Sequence, residues 1–467
     1  MGHQDLPGFY YDPEKKRYFS LKGPVPGTRA TANTHERTLC ALNQKATRPT
    51  TSLNKLIATR ELNASTTVSR DLFRFLICDP AVWKYSTSPI SADVALEMPS
   101  LKCQTPSGLC TLPFLLAASS QGCISLLQVG NGYHRRETFS PECIHSKKLE
   151  TDLSPLPIFR IKRSPWCFFQ GLSSFKLSSS CATESSLTNH SLLTTLGSDA
   201  CGGTLSLMNF NDPFDYSSRN PLFKRITSIV GTCWTAAWSR DSTRAVIGAN
   251  RGAALVDLET GDKSWVLRCD SDVFAQQFDS SGNVVLCGLR NGAIVTVDIR
   301  ERFRKYIACP SNRCVRLSSS CQKDRQLRRQ TFELKGKIQP LRTNFMPSAV
   351  CSLKTFLSDD CYFVASSMDG SIALYDHRKT VVVQTYDGNV NSHSRIHVAL
   401  DPSEKLIISG GEDKRLRVWR VNSGELLVER EIADTPQTVL CGSSSDSNNG
   451  TSAWFGSRDV IHCMKWT

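Results

Sequence analysis

The sequence predicts an all-β fold, a seven-bladed β-propeller, and three observations predict it. A phrase of a small polar turn, a short apolar strand and a closing polar residue recurs, most clearly as Asn291-Gly292-Ala293-Ile294-Val295-Thr296-Val297-Asp298 and Asp369-Gly370-Ser371-Ile372-Ala373-Leu374-Tyr375-Asp376. Gly252 and Gly292 are 40 residues apart, and Asp376 and Arg420 are 44 apart, the period of a four-stranded blade. Upstream of each copy lies a continuous apolar run such as Val284-Val285-Leu286-Cys287-Gly288 or Leu406-Ile407-Ile408-Ser409-Gly410, as expected of a strand covered on both faces.

Residues 1–70 read as a mostly irregular extension. Pro7-Gly8-Phe9-Tyr10-Tyr11-Asp12 leads into Tyr18 and Phe19, an aromatic density too costly to leave exposed, so Phe9, Tyr10, Tyr11, Tyr18 and Phe19 form a candidate docking peptide. Arg29 to Pro49 reads as linker. Leu53, Leu56 and Ile57 then share one face of a predicted short helix after a Thr or Ser cap, and that face fits either a partner or the chain's own propeller.

Residues 71–467 read as the propeller. One blade is expected around Leu112 to Leu127 and a second from Leu192 to Met208. Four blades are expected between residues 228 and 425, and the last lies in the strands around Thr438–Cys441, Ser452–Gly456 and Val460–Trp466. The Asn-Gly and Asp-Gly pairs supply the positive-φ residues of tight hairpins, and closing the blades into a ring removes their edges. Two insertions are expected, near 131–190 and 303–346.

The 467 residues carry a net charge of +13, the sign expected of a phosphate-binding surface. Much of that excess sits in one serine-rich insertion, in Arg302, Arg304, Lys305, Arg313, Arg316 and further basic residues up to Arg342. Such a segment is most simply a solvated loop, with nucleic-acid binding as the less favoured reading.

The 19 cysteines are scattered, without a Cys-x-x-Cys pair, and Cys123, Cys287 and Cys351 fall inside predicted strands, where a thiol packs as a small hydrophobe. No stretch reaches the roughly 18 apolar residues of a membrane span, and no signal pattern opens the chain. An intracellular protein, nuclear or cytoplasmic, without membrane attachment is expected. No phosphate loop, nucleophile elbow or metalloprotease motif is present. His393 and His397 have helical metal-pair spacing but fall in a loop and a strand. The expectation is no catalysis, no cofactor and no metal.

The endings Val297-Asp298-Ile299-Arg300 and Tyr375-Asp376-His377-Arg378 place Asp-x-Arg at the end of two successive blades. They resemble the box with which WD-repeat substrate receptors of cullin-4 RING ubiquitin ligases face their damaged-DNA-binding adaptor. With the aromatic segment and Ala58-Thr59-Arg60-Glu61-Leu62, the chain is similar to the cullin-4-associated factor four type of these receptors. The resemblance implies a WD-repeat propeller with Arg300 and Arg378 at the adaptor contact and Asp298 and Asp376 holding the turns. Val297 and Tyr375 depart from it, standing where tryptophan is usual.

The resemblance further implies a non-catalytic receptor, monomeric within its complex, that brings a protein substrate of unknown identity to the ligase by proximity. Two alternatives stay open: a basic WD-repeat scaffold in RNA processing or ribosome assembly, and a general protein-interaction scaffold.

Overall fold

A computed structural model of the chain describes residues 9–12, 17–20, 80–86, 90–105, 108–130, 138–145, 155–160, 166–167, 171–177, 190–198, 202–210, 222–300, 312–315, 332–335, 341–443 and 451–466. The chain divides into two compact units, Met1–Ser52 and Leu53–Thr467. In the first, Phe9–Asp12 and Arg17–Ser20 form an antiparallel hairpin with Tyr10 opposite Phe19 and Tyr11 opposite Tyr18. The aromatic segment is therefore not irregular, because aromatic residues favour extended backbone and Pro13-Glu14-Lys15-Lys16 separates two such runs. The expected helix with Leu53, Leu56 and Ile57 lies outside the described residues.

The second unit is a ring of seven blades. Blade 3 is the meander Cys233–Trp238, Arg244–Ala249, Gly252–Asp257 and Lys263–Arg268. Blade 4 is Val273–Phe278, Val284–Leu289, Ala293–Asp298 and Arg342–Phe345. Blade 5 is Val350–Thr355, Tyr362–Ser367, Ile372–Asp376 and Val382–Tyr386. Blade 6 is Val398–Leu400, Leu406–Gly410, Arg415–Arg420 and Leu426–Glu431. Blade 2 has the same order in Leu172–Leu177, His190–Ser198, Gly202–Asn209 and Leu222–Ile229.

The innermost strands touch in a closed cycle. Ala95–Glu97 of blade 1 meets Leu172–Leu177, contacts then run through Cys233–Trp238, Val273–Phe278, Val350–Thr355 and Val398–Leu400 to Thr438–Ser443, and that last strand meets Ala95–Glu97 again. Closure covers the blade faces, which is why the second strand of each blade is so largely buried. The core lies between blades, as where Val246 and Val266 of blade 3 pack in one cluster with Val285, Val295 and Val297 of blade 4.

Two expectations change in the ring. The last blade is completed by Ala81–Ser86, which pairs antiparallel with Val460–Trp466 from Ala81 opposite Lys465 to Ser86 opposite Val460. Its pattern is short and includes Lys84, so it did not stand out as a strand, yet Val82 and Tyr85 are fully buried. The stretch 131–190 is no simple insertion either. It supplies Ile158–Arg160 and Trp166–Cys167 against Cys123–Val129 of blade 1, Pro141–His145 against Ala81–Ser86, and the inner strand of blade 2. The stretch near 303–346 likewise ends in the outer strand of blade 4, Arg342–Phe345, and holds a separate hairpin of Asn312–Val315 with Phe332–Lys335.

The hairpin turns also differ in detail. Gly292 N donates to Leu289 O at 3.1 Å and Gly370 N to Ser367 O at 3.1 Å, so the glycine closes each turn, with φ of 86° and 88°. It alone takes positive φ, while Asn291 Oδ1 and Asp369 Oδ1 accept from the backbone N–H of Ala293 and Ser371. This is a turn followed by a left-handed glycine bulge, which needs one permissive residue where a two-residue mirror turn needs two.

Candidate functional site

In each blade the first turn and the end of the third strand lie at the same end of the sheet, because three antiparallel strands bring the chain back to where its first strand finished. Register fixes this: Val284 pairs with Asp298 in blade 4, and Tyr362 pairs with Asp376 in blade 5. The two Asp-x-Arg strings thus stand at one rim, on neighbouring blades, beside the turns that begin at Asp279 and Phe356.

The aspartates organise these turns. Asp298 Oδ1 accepts from Arg300 N at 2.9 Å and from Arg300 Nε at 3.0 Å, and Oδ2 accepts from Arg300 Nη2 at 2.7 Å. In blade 5, Asp376 Oδ1 accepts from Arg378 N at 2.7 Å and Nε at 3.0 Å, with Oδ2 taking Nη2 at 3.1 Å. Each carboxylate therefore binds its own arginine through two fork nitrogens while also capping the backbone, the charge-assisted geometry for which the guanidinium is pre-shaped. Those bonds from Arg300 hold the Asp298 carboxyl below its ordinary pKa.

Anchoring and exposure coexist. The side chains of Asp298 and Asp376 are 11% and 3% exposed, whereas those of Arg300 and Arg378 are 66% and 48% exposed. A long arginine normally loses rotamer freedom on binding; here the buried carboxylate has already fixed it, so little is left to lose. Arg378 is steadied further by Tyr362, whose hydroxyl accepts from Nη2 at 3.3 Å and whose ring lies 5.7 Å beneath the guanidinium carbon.

Neighbouring blades lack this arrangement. In blade 3 the equivalent Asp257 is followed by Leu258-Glu259, and its Oδ1 accepts backbone N–H groups of Glu259 and Thr260, at 2.9 and 3.0 Å, with no arginine folded onto it. In blade 6 the aspartate's place is taken by Arg420, which faces Glu425 at 3.8 Å. The two departures from tryptophan are both accommodated as core: Val297 is fully buried, and Tyr375 is 2% exposed and stacked on Phe363 at 5.3 Å.

Further residues complete the rim. Arg342 Nη1 donates to His377 O at 2.5 Å, fastening the outer strand of blade 4 to the turn of blade 5. Leu357 is 81% exposed in the first turn of blade 5, and its N–H and that of Ser358 are held by the Glu404 carboxylate of blade 6. Sequence reading placed Arg342 only in a basic insertion. Tyr362 and Leu357 gave no signal, since their value depends on cross-strand register and on which turns converge. Phe9, Tyr10, Tyr11, Tyr18 and Phe19 belong to the hairpin of the first unit, and Leu53, Leu56 and Ile57 lie outside the described residues.

Comparison with known proteins adds to this geometry. The family described as "WD domain, G-beta repeat" matches residues 339–376 and 381–420. Each match begins near the outer strand of one blade and ends with the third strand of the next, so the sequence repeat is offset from the blade by one strand, as the outer position of Ala81–Ser86 also requires. The chain is 23% identical over 484 residues to "DDB1- and CUL4-associated factor 4" of Bos taurus, covering 99% of this chain and 87% of the relative. It is 25% identical to the protein of the same name from Homo sapiens, covering 91% and 78%. A human "DDB1- and CUL4-associated factor 4-like protein 2" is 28% identical over 42% of each chain. The chain is thus a seven-bladed propeller that carries two matched WD repeats and is similar along nearly its whole length to proteins named DDB1- and CUL4-associated factor 4.

Proposed function

We propose that this protein is a non-catalytic, cullin-4-associated substrate receptor or scaffold, docking on the DDB1 adaptor through the rim that carries Arg300 and Arg378. The observation that carries the reading is the pair of exposed guanidinium groups on adjacent blades, each pre-fixed by a buried aspartate. Such groups suit backbone carbonyls and carboxylates of a partner loop or helix, and the exposed Leu357 near them offers an apolar contact of the kind interface centres use. The similarity to proteins whose names join DDB1 and CUL4 supports the same partner.

The chain's contribution to ubiquitin transfer is then proximity. Holding a substrate beside the ligase replaces diffusional encounter with a high effective concentration, and no side chain of the propeller touches the reacting atoms. The test is capture of purified adaptor by the wild-type chain and by an Arg300→Ala/Arg378→Ala variant. A loss of tenfold or more in affinity is expected on removing two central charge-assisted contacts. Equal capture removes these arginines from the interface, and no capture by either protein ends the adaptor reading.

A further inference from the structure

The central channel holds a charge arrangement that the adaptor rim does not use. The innermost strands surround a cavity of about 70 Å³, ample for several waters or one small polar group. Lys176 from blade 2, Lys354 from blade 5 and Arg395 from the segment entering blade 6 line it, against a single carboxylate, Glu97 of blade 1. Among the described residues neither lysine belongs to an ion pair.

Cations gathered in a confined space are costly, and the titration behaviour reflects it. Burial, aided by Lys354, pulls the Lys176 ammonium down from its ordinary value to about 7. His397, on the same wall, is held well below the usual histidine range by burial and by Arg395 and the two lysines. Glu97 is the one acidic side chain facing three basic ones, and a protein gains nothing in stability from basic groups crowded in a channel.

Polar capacity is also left open. Gln276 of blade 4 is 1% exposed and lines the cavity, and its amide meets no strong donor or acceptor, its neighbour being the weakly bonding Cys287 thiol. Arg395 donates Nη1 to Trp234 O at 3.1 Å and Nη2 to Phe274 O, which locks its guanidinium across blades 3 and 4, while its buried Nε is without a partner. A buried donor without an acceptor is costly, so donors of this kind concentrated with positive charge in one cavity describe a site shaped for a missing acceptor.

We propose that the central channel binds a small oxyanion, of carboxylate or phosphate type, between Lys176, Lys354 and Arg395, with the amide nitrogen of Gln276 as a further donor. Three-sided charge and a fixed guanidinium favour a compact anion that accepts several hydrogen bonds at once. Free anions and acidic groups of a bound protein share this chemistry. The site is separate from the Arg300 and Arg378 rim and does not rest on the adaptor reading.

The test is isothermal titration of the full chain with inorganic phosphate and, separately, with a short oligoglutamate peptide, using oligoglutamine as the uncharged control. Wild type is expected to bind at least one of the two anions, more weakly as ionic strength rises. A Lys176→Met/Lys354→Met variant should lose roughly a hundredfold in affinity and Gln276→Leu roughly tenfold, by the strength of the hydrogen bonds removed. Arg300→Ala/Arg378→Ala should leave anion binding unchanged. Binding of phosphate alone identifies a free anion as the occupant; binding of oligoglutamate but not oligoglutamine identifies an acidic peptide. If the lysine variant lacks the wild-type circular dichroism spectrum, Gln276→Leu alone decides. Failure of both anions to bind, or affinities that the variants leave unchanged, overturns the proposal.

Discussion

Tyr375 donates its hydroxyl to the backbone carbonyl of Phe345 at 3.0 Å, and so joins the third strand of blade 5 to the outer strand of blade 4. Trp419 occupies the same position in blade 6, and its indole Nε1 donates to Asp387 O at 2.9 Å, just beyond the outer strand of blade 5. The two residue types thus perform one task, a buried donor reaching back across the gap between blades. Val297 in blade 4 has no donor to offer, and packs instead in the apolar cluster between blades 3 and 4. Tyr375→Phe keeps the ring and removes the bond. It is expected to lower stability by about 1–2 kcal/mol, read from the denaturant midpoint, while leaving the slope unchanged.

Asp376 lies beneath the whole blade 5 turn. Asp376→Ala removes the acceptor for Arg378 N, Nε and Nη2 together, so the turn loses its backbone cap and the guanidinium its anchor. A cost of about 2–3 kcal/mol is expected. Adaptor affinity should fall as well, because Arg378 then has to be ordered at binding; unchanged affinity at reduced stability would separate the turn's structural role from the interface.

The blade 4 turn depends on Gly292. Its φ is 86°, and a Cβ built there would lie 2.4 Å from Met346 O, a backbone atom that cannot swing aside. Gly292→Ala should destabilise by about 2 kcal/mol or more, the left-handed penalty plus displacement of the outer strand, measured as a fall in melting temperature. Lys414 takes φ 59° in the corresponding blade 6 turn, so the fold tolerates a side chain there.

Ring closure depends on Ala81–Ser86. Trp83 is 5% exposed within the cluster that joins blade 7 to blade 1, so Trp83→Ala should cost about 3–5 kcal/mol. Limited proteolysis is the second readout, with cleavage expected within Ala81–Ser86 once the strand detaches.

His462 gives the propeller an acid limit. It is fully buried in blade 7, both ring nitrogens lack partners, and burial, with Lys84 nearby, lowers its pKa to about 4. Its folded pKa is below the unfolded value, so the unfolded chain binds the proton first. Stability is complete above about pH 6.5 and is lost as pH falls toward 4, by up to about 3 kcal/mol. His462→Met should flatten the stability profile across that window; an identical slope in the variant would assign the acid limit to other groups.

How much of this was legible in the sequence follows from the range over which each feature is fixed. The seven blades, the second-strand apolar runs and the Asp-x-Arg strings are local patterns: alternation, turn chemistry and a period near 40 residues impose them without reference to distant chain. The identity of Arg300 and Arg378 as candidates was equally local. Their state was not. That each guanidinium folds onto the carboxylate two residues before it, and that Tyr362 lies under Arg378, emerges only from the turn geometry and the cross-strand register.

What only the tertiary structure decided is everything that closing the ring brings together. Ala81–Ser86 meets Val460–Trp466 across almost the entire propeller, and Glu97, Lys176, Lys354 and Arg395 come from four different blades to one channel. Sequence periodicity repeats the blade but carries no information about which residues face the common axis against which others. That depends on the cyclic contact of seven inner strands, a long-range constraint for which each blade encodes only its own share.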